Sequence, residues 1–457
     1  MIDSAEIVIC GAGIAGISAA YHLAVKQGIS NIVLVDEREP LTLTSDKSAE
    51  CYRNWWPGPG DTMVRFMNRS IDLLGQLADS SGNYFNLNQR GYIFLTADPE
   101  KAQSMQQTAV EISALGAGEL RLAQTAADYK PSPGEGYDLA FDGVDLLLSS
   151  DLIQAHYPFI TDTAVSLLHA RRCGWLSAQQ LGMYLLAQAK AHGVRLVQGR
   201  VTNVIQENNR IQAVEIAQNG RTTQIATQQY VIAAGPLCKQ AAAGIGVDLP
   251  VFNELHGKIA FEDTQGIIPR NAPLMIWNDP AYLAWTDEER AELAVDEDTR
   301  WMVEQFPAGV HFRPEGGPGA QTVLAIWTYD VAVMEPAWPI NLPDEYAEII
   351  MRGLVRMVPG LAAYLGKMAR PYIDGGYYCK TQENRPIIGP LPVEGAYIIG
   401  ALSGYGIMSA MAAGELLAAH VTGGALPDYA PAFLLSRYDD PVYRAMLADW
   451  DPTTGQL

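Results

Sequence analysis

The sequence predicts an α/β fold, and three observations predict it. A Val/Ile-rich run from Glu6 to Cys10 breaks at once into Gly11-Ala12-Gly13-Ile14-Ala15-Gly16; a stretch of helical spacing, Ser18 to Ala24, follows; and a second apolar run, Ile32 to Val35, ends in Asp36 and Glu37. Strand, tight turn, helix and second strand form a βαβ unit, the building block of a parallel sheet.

Each part has a chemical reason. Gly11 turns the chain, Gly13 lacks the Cβ that would block a pyrophosphate, and Gly16 lets helix and strand pack closely. Ile14 and Ala15 open the helix, whose unpaired N–H groups and positive dipole end favour an anion. Asp36, about twenty residues beyond the third glycine, suits the adenosine ribose hydroxyls, with Glu37 beside it, and disfavours a 2′-phosphate. By itself the unit leaves two questions open: whether the glycines serve packing alone, and whether the dinucleotide is NAD or FAD.

Composition sets limits on the rest. The chain has 457 residues, 48% apolar and 18% charged, with 9 Trp and 21 Tyr, which is core material for large globular domains and excludes disorder. Its net charge of −20, from 31 basic and 51 acidic side chains, opposes phosphate backbones and anionic lipid; with no basic patch, no nucleic-acid or membrane-surface partner is expected. Five scattered cysteines (Cys10, Cys51, Cys173, Cys238, Cys379) without C-x-x-C spacing fit neither a disulfide scaffold nor a metal site. The first residues contain neither a basic leader nor a long apolar run, so a cytoplasmic location without a membrane segment is expected.

Further blocks follow in order: Thr44-Ser45-Asp46-Lys47-Ser48-Ala49-Glu50, then Cys51-Tyr52-Arg53-Asn54-Trp55-Trp56; Arg200 to Val204, a β-meander over about 210–230, and Val231-Ile232-Ala233-Ala234-Gly235. Near the C-terminus stand Thr381-Gln382-Glu383-Asn384-Arg385-Pro386-Ile387-Ile388-Gly389 and Ile398 to Met408. Over nearly the whole chain this arrangement resembles the D-amino-acid oxidase-type flavoprotein superfamily, on the branch of sarcosine oxidase, glycine oxidase and dye-linked proline dehydrogenase.

The resemblance implies FAD, and a fold with a discontinuous Rossmann-like FAD-binding domain (1–83, 147–240 and 370–457) and an α+β substrate domain (84–146 and 241–369) whose mixed or antiparallel sheet covers the flavin. It places Ser45, Lys47 and Ser48 along the pyrophosphate and flavin edge, backbone groups of Val201 at adenine, and Ala234 and Gly235 beside the dinucleotide. Gly404, Tyr405, Gly406, Ile407 and Met408 would pass under the flavin pyrimidine. That role has independent logic, because glycines on both sides of Tyr405 permit close backbone approach and a helix N-terminus stabilises negative charge.

Three departures from sarcosine oxidase-type relatives bear on chemistry. Gly376 stands where a cysteine bonds the flavin, so noncovalent FAD is expected. Val323 is matched to a lysine that promotes reaction with oxygen, which favours a dehydrogenase over an oxidase. Met408 replaces a carboxylate-binding lysine. Candidates over the flavin are Arg53, Trp55, Trp56, His256, Lys258, His311, Arg313 and Tyr378. Arg53 is read either as a carboxylate anchor or as a structural ion pair, Trp55 and Trp56 as a cation-attracting wall or as packing, and the histidines as structural or as bases.

In the substrate domain, Arg90 to Leu95 and Val323 to Trp327 read as strands. Thr286-Asp287-Glu288-Glu289 reads as a capping box opening a solvated helix, or a lid, that carries Asp296, Glu297 and Asp298. The expected activity is FAD-dependent removal of hydride from the C–N carbon of a small amine or amino acid, a secondary amine favoured, with a quinone, an electron-transfer protein or oxygen as acceptor. Two alternatives are a 2-hydroxy acid or polyol dehydrogenase, which needs a base, and a flavin-bearing subunit or assembly protein without turnover.

Overall fold

A computed structural model describes residues 3–317 and 319–450. Among these, six strands form one sheet in the order Ile387–Pro390, Ala396–Gly400, Gln229–Ile232, Ile7–Cys10, Ile32–Asp36, Arg195–Gln198. All neighbours are parallel except the first pair. Period-two alternation decides which residue faces which layer. Ile7, Ile9, Ile32 and Leu34 pack towards the helices Ile14–Tyr21, Ala178–Ala191 and Gly406–Thr422, whereas Val8, Val33 and Val35 meet the meander strands through Val204, Val214, Ile216 and Ile225. The meander itself is three antiparallel strands, Arg200–Glu207, Arg210–Gln218 and Arg221–Ala226.

The helix after the glycine turn and the C-terminal helix are drawn together by small residues. A Cβ on Gly414 would lie 2.4 Å from Ser18 Oγ, and that hydroxyl donates to the Ala410 carbonyl at 2.7 Å. This close crossing sets the Gly404–Met408 loop beside the Gly11–Gly16 turn.

A nine-stranded mixed sheet lies alongside, ordered Tyr372–Lys380, Phe252–Glu262, Thr322–Ile326, Val310–Pro314, Leu274–Trp277, Tyr92–Thr96, Ser166–Ala170, Val144–Leu147, Leu120–Leu122. Two of its strands, Ser166–Ala170 and Tyr372–Lys380, come from the stretches 147–240 and 370–457, so the sheet draws on chain from both sides of the expected domain division. Alternation again sorts the side chains. Ile259, Phe261, Phe312, Val323, Ala325 and Trp327 bury against Ile349, Ile350 and Leu354 of helix Tyr346–Met357. The opposite face presents His256, Lys258, His311, Arg313 and Ile326 towards the segment after residue 44.

Thr286 caps the helix Asp287–Val295 through a reciprocal box with Glu289. The expected acidic extension of that helix is not helical: Asp296 is already extended, and its carboxylate accepts the Asp298 N–H instead. Three successive carboxylates at a helix C-terminus oppose the dipole, which favours leaving the helix there.

Candidate active site

The strand ends of the parallel sheet open into a cavity of about 350 Å³. At one end lie Asp36, Glu37 and Val201; along it lie Gly11, Gly13, Ile14, Ala15, Ser45 and Ser48, with Ala234 and Gly235 opposite; at the far end are Gly404, Gly406 and Ile407. The glycines are here for steric reasons. Gly11 has φ +113°, and a Cβ on it would lie 2.3 Å from the Ala233 carbonyl oxygen. Gly16 does not line the cavity; a Cβ there would sit 1.9 Å from the Gly11 carbonyl oxygen, so it serves helix–strand packing. Ser45 Oγ accepts from the Ile14 N–H at 3.0 Å, and Asp36 accepts from the N–H groups of Ala12 at 2.7 Å and Arg38 at 2.9 Å. The same carboxylate therefore shapes the turn and faces the cavity.

A second cavity, of about 100 Å³, adjoins the first and shares Ser48, Tyr378, Ser403 and Gly404 with it. Arg53, His256, His311, Tyr378, Tyr405 and Met408 line it, together with Glu50, Tyr92, Ile326, Thr328, Lys380 and Asn384. Arg53 is buried, donates to the Trp55 carbonyl at 3.1 Å and lies 4.4 Å from the Trp56 ring; burial pulls its pKa down. His256 stacks on Tyr378 with ring centres 4.1 Å apart, its Nε2 3.2 Å from Glu254 and its Nδ1 3.1 Å from Thr328 Oγ1. Burial holds it below the usual histidine range despite the Glu254 carboxylate. His311 is lowered to about 4 by burial, and its Nδ1 lies 2.8 Å from the Gly309 carbonyl, which assigns the proton to Nδ1 and leaves Nε2 as an acceptor. Burial raises the Tyr378 phenol.

Two candidates act elsewhere than at the cavity wall. Lys258 donates to the carbonyls of Asp46 and Ser48 at 2.8 and 3.3 Å, and Arg313 donates to that of Ala49 at 2.7 Å, so together they clamp the segment 46–49. Lys47 likewise turns away, bonding Asp374 at 2.7 Å and Asp46 at 3.0 Å. Trp56 packs edge-on against Tyr405, whose hydroxyl donates to the Asn384 carbonyl at 2.5 Å. Val323, matched above to a lysine near the flavin, faces the opposite side of the sheet; Ile326 and Thr328 are the residues of that stretch at the cavity. The register slipped because an apolar strand buried on both faces carries no alternation to mark its sides.

Sequence reading missed Glu50, Thr328, Lys380 and Asn384. Glu50 and Asn384 adopt φ +57° and +56°, as do Ala401 and Ser403 at +54° and +49°. A left-handed backbone at a residue other than glycine leaves no trace in composition, although Asn384, next to an Arg-Pro turn, offered a hint.

A profile of the family described as FAD dependent oxidoreductase (DAO) matches residues 6–420. The chain belongs to that family. This FAD-dependent oxidoreductase is 26% identical to the mitochondrial dimethylglycine dehydrogenase of Rattus norvegicus over 256 residues, 56% of this chain and 26% of that one. It is 34% identical to the Homo sapiens protein of the same name over 104 residues, 23% and 12% of the two chains. The match thus spans about a quarter or less of those relatives' length. Its fold is similar to that of L-proline dehydrogenase from P. horikoshii (TM-score 0.73, 19% identity, 96% of this chain and 99% of that one) and glycine oxidase from Bacillus cereus (TM-score 0.70, 13% identity, 95% and 99%).

The residues of this FAD-dependent oxidoreductase fit the cofactor its family implies. The larger cavity runs from a carboxylate suited to ribose hydroxyls, past a Cβ-free turn and a helix N-terminus, to the glycine loop at Gly404–Ile407. Among the described residues no helix is long and apolar enough to cross a membrane, and no cluster of metal-ligating side chains occurs.

Proposed function

We propose that the protein oxidises a C–N bond of a small carboxylated amine, a secondary amine or amino acid, within the smaller cavity. One observation carries this reading: a buried guanidinium, Arg53, shares a small aromatic and aliphatic chamber with Tyr92, Ile326, Tyr378 and Met408, directly against the glycine loop of the dinucleotide cavity. Bidentate pairing with Arg53 satisfies both carboxylate oxygens, and the apolar walls keep water from the reacting carbon. FAD, when bound, supplies the acceptor of the hydride. The chain's residues then orient the C–H bond and hold the substrate nitrogen as the free amine, whose lone pair expels the hydride; water hydrolyses the resulting iminium.

Oxidising an alcohol requires a base for its proton; both ring nitrogens of His256 are already engaged, and burial holds His311 at about 4, a weak base, which favours an amine over a hydroxy acid. The thiols support noncovalent attachment of FAD, since burial pushes Cys10 up to about 11 and Cys379 up to about 12, leaving little thiolate to attack a flavin. Acid precipitation should therefore release the yellow chromophore into the supernatant; colour retained in the pellet would contradict this. Stopped-flow reduction by a panel of amines and 2-hydroxy acids tests the activity. Reduction by carboxylated amines is the expected result, and reduction by hydroxy acids alone would overturn it.

A further inference from the structure

Among the residues lining the smaller cavity, Glu50 is the single carboxylate. It precedes the strand Cys51–Arg53, so one short segment offers the chamber both a carboxylate and a guanidinium. Its backbone is left-handed, φ +57°, a conformation uncommon for glutamate, and the surroundings over-determine it. Lys258 and Arg313 hold the carbonyls of residues 46, 48 and 49; the Glu50 N–H donates to Ser48 Oγ at 3.0 Å, and the Leu176 N–H donates to the Glu50 carbonyl at 3.2 Å. The side chain forms one long ion pair and no charge-assisted hydrogen bond to a cation. That pair is with Arg313 Nη2 at 3.8 Å, beyond hydrogen-bond reach, and among the described residues that buried Nη2 has no hydrogen-bond partner; Arg313 Nη1 is taken by Glu315.

We propose that Glu50 receives the substrate nitrogen: its carboxylate pairs with the incoming ammonium while Arg53 holds the carboxylate, which makes the preferred ligand a small zwitterion. This rests on the amine-oxidation reading above and extends it to one proton. The substrate N–H bond breaks, the proton passes to a Glu50 oxygen, and the nitrogen keeps the electron pair. FAD, when bound, would accept the hydride from carbon, which leaves an iminium and protonated Glu50. Burial raises the Glu50 carboxyl above the usual carboxylate range; Arg313 and Lys258 oppose that rise, Glu315 adds to it, and an Ala178 backbone N–H lowers it. A carboxylate made more basic in this way is better matched to accepting a proton.

The test uses the FAD-loaded protein and two probes of equal shape: trimethylammonioacetate, which is cationic at nitrogen and carries no transferable N–H, and 3,3-dimethylbutanoate, which has carbon in its place. Binding is read from the flavin absorbance. Wild type should prefer the ammonium probe at least tenfold, and Glu50→Gln should lose that preference while binding 3,3-dimethylbutanoate as before. With an oxidisable secondary amino acid, the midpoint of the rate of flavin reduction against pH should move up by a unit or more in Glu50→Gln, and the two rates should converge near the free amine's own pKa. Glu50→Gly, whose backbone suits φ +57°, provides a second variant that removes the carboxylate without straining the segment, and the same losses are expected. An unchanged probe preference and an unchanged pH midpoint in either folded variant would overturn the assignment. If the variants erase the probe preference but no amine reduces the wild-type flavin, the Glu50 subsite stands and the oxidation reading falls.

Discussion

The two adjoining cavities are made in opposite ways. In the larger, a turn, two strand ends and a loop bring N–H groups and bare Cα atoms to the wall, and the residues that mark it in the sequence are the glycines of that turn and loop and the carboxylate of Asp36. The smaller is lined by side chains from segments scattered along the chain, around residues 48–53, 92, 256, 274, 311, 326–328, 378–384 and 403–408, and no single pattern in the sequence says that these meet. A site built of backbone tolerates little change at its glycines but is indifferent to many side chains. In a site built of side chains, single residues set specificity while the fold survives their loss.

That contrast can be broken or sharpened by substitution. The largest effect is expected at Gly11→Ala, because the new Cβ would need φ +113° and would meet the Ala233 carbonyl oxygen at 2.3 Å. The cost should be about 3 kcal/mol or more of stability together with loss of FAD, read by thermal unfolding and flavin content; a stable, yellow variant would show that the turn can relax and that the backbone argument is wrong.

Arg53→Met should instead leave folding and FAD content intact while cutting flavin reduction by a carboxylated amine about a hundredfold, the scale of a lost buried charge-assisted pair. A carboxylate-free amine of the same shape should be affected much less. Equal losses for both substrates would make Arg53 a scaffold residue and blur the distinction between the cavities.

Asp36→Ala lies between these cases, since Asp36 holds the Ala12 N–H at 2.7 Å as well as facing the cavity. Its loss should weaken FAD binding by about 1.5–3 kcal/mol, tenfold or more. Unchanged affinity in a fluorescence titration would transfer the ribose role to Glu37.

The smallest effect is in pH. His311 titrates at about 4 in the folded state against 6.5 when unperturbed, because burial disfavours its charged form. The unfolded chain therefore binds the extra proton first as pH falls, so this contribution to stability is complete above pH 6.5 and declines towards pH 4. At pH 5.5 the loss should be about 1 kcal/mol, and His311→Gln should flatten the acid limb of a stability–pH curve by that amount. An unchanged limb would mean that His311 titrates normally in the folded protein.

The same division explains what could be read beforehand. The glycine turn, the acid at Asp36, the meander, the capping box at Thr286 and the glycine loop before the C-terminal helix are local patterns in which spacing and residue type are the physics. Which cation faces a cavity is not local. Lys258 and Arg313 share a sheet face with His256 and His311, yet they end on the carbonyls of residues 46–49, because those unpaired acceptors lie within their reach. Glu50 and Asn384 carry no local signal of their place in the cavity, because a left-handed backbone is imposed by neighbouring segments rather than by the residue's own preference.

The sequence by itself therefore determined the α/β fold and the glycine turn of the dinucleotide cradle, since these depend on short-range periodicity and on where a Cβ is missing, while the order of its motif blocks carried the family resemblance. Only the tertiary structure decided which side chains share the second cavity. That cavity lies between a parallel sheet's strand ends and one face of a mixed sheet, and its walls are set by strand register and by the crossing of two helices at Ser18 and Gly414. Register and crossing are settled by packing summed over both cores, a quantity that no segment of the chain carries alone.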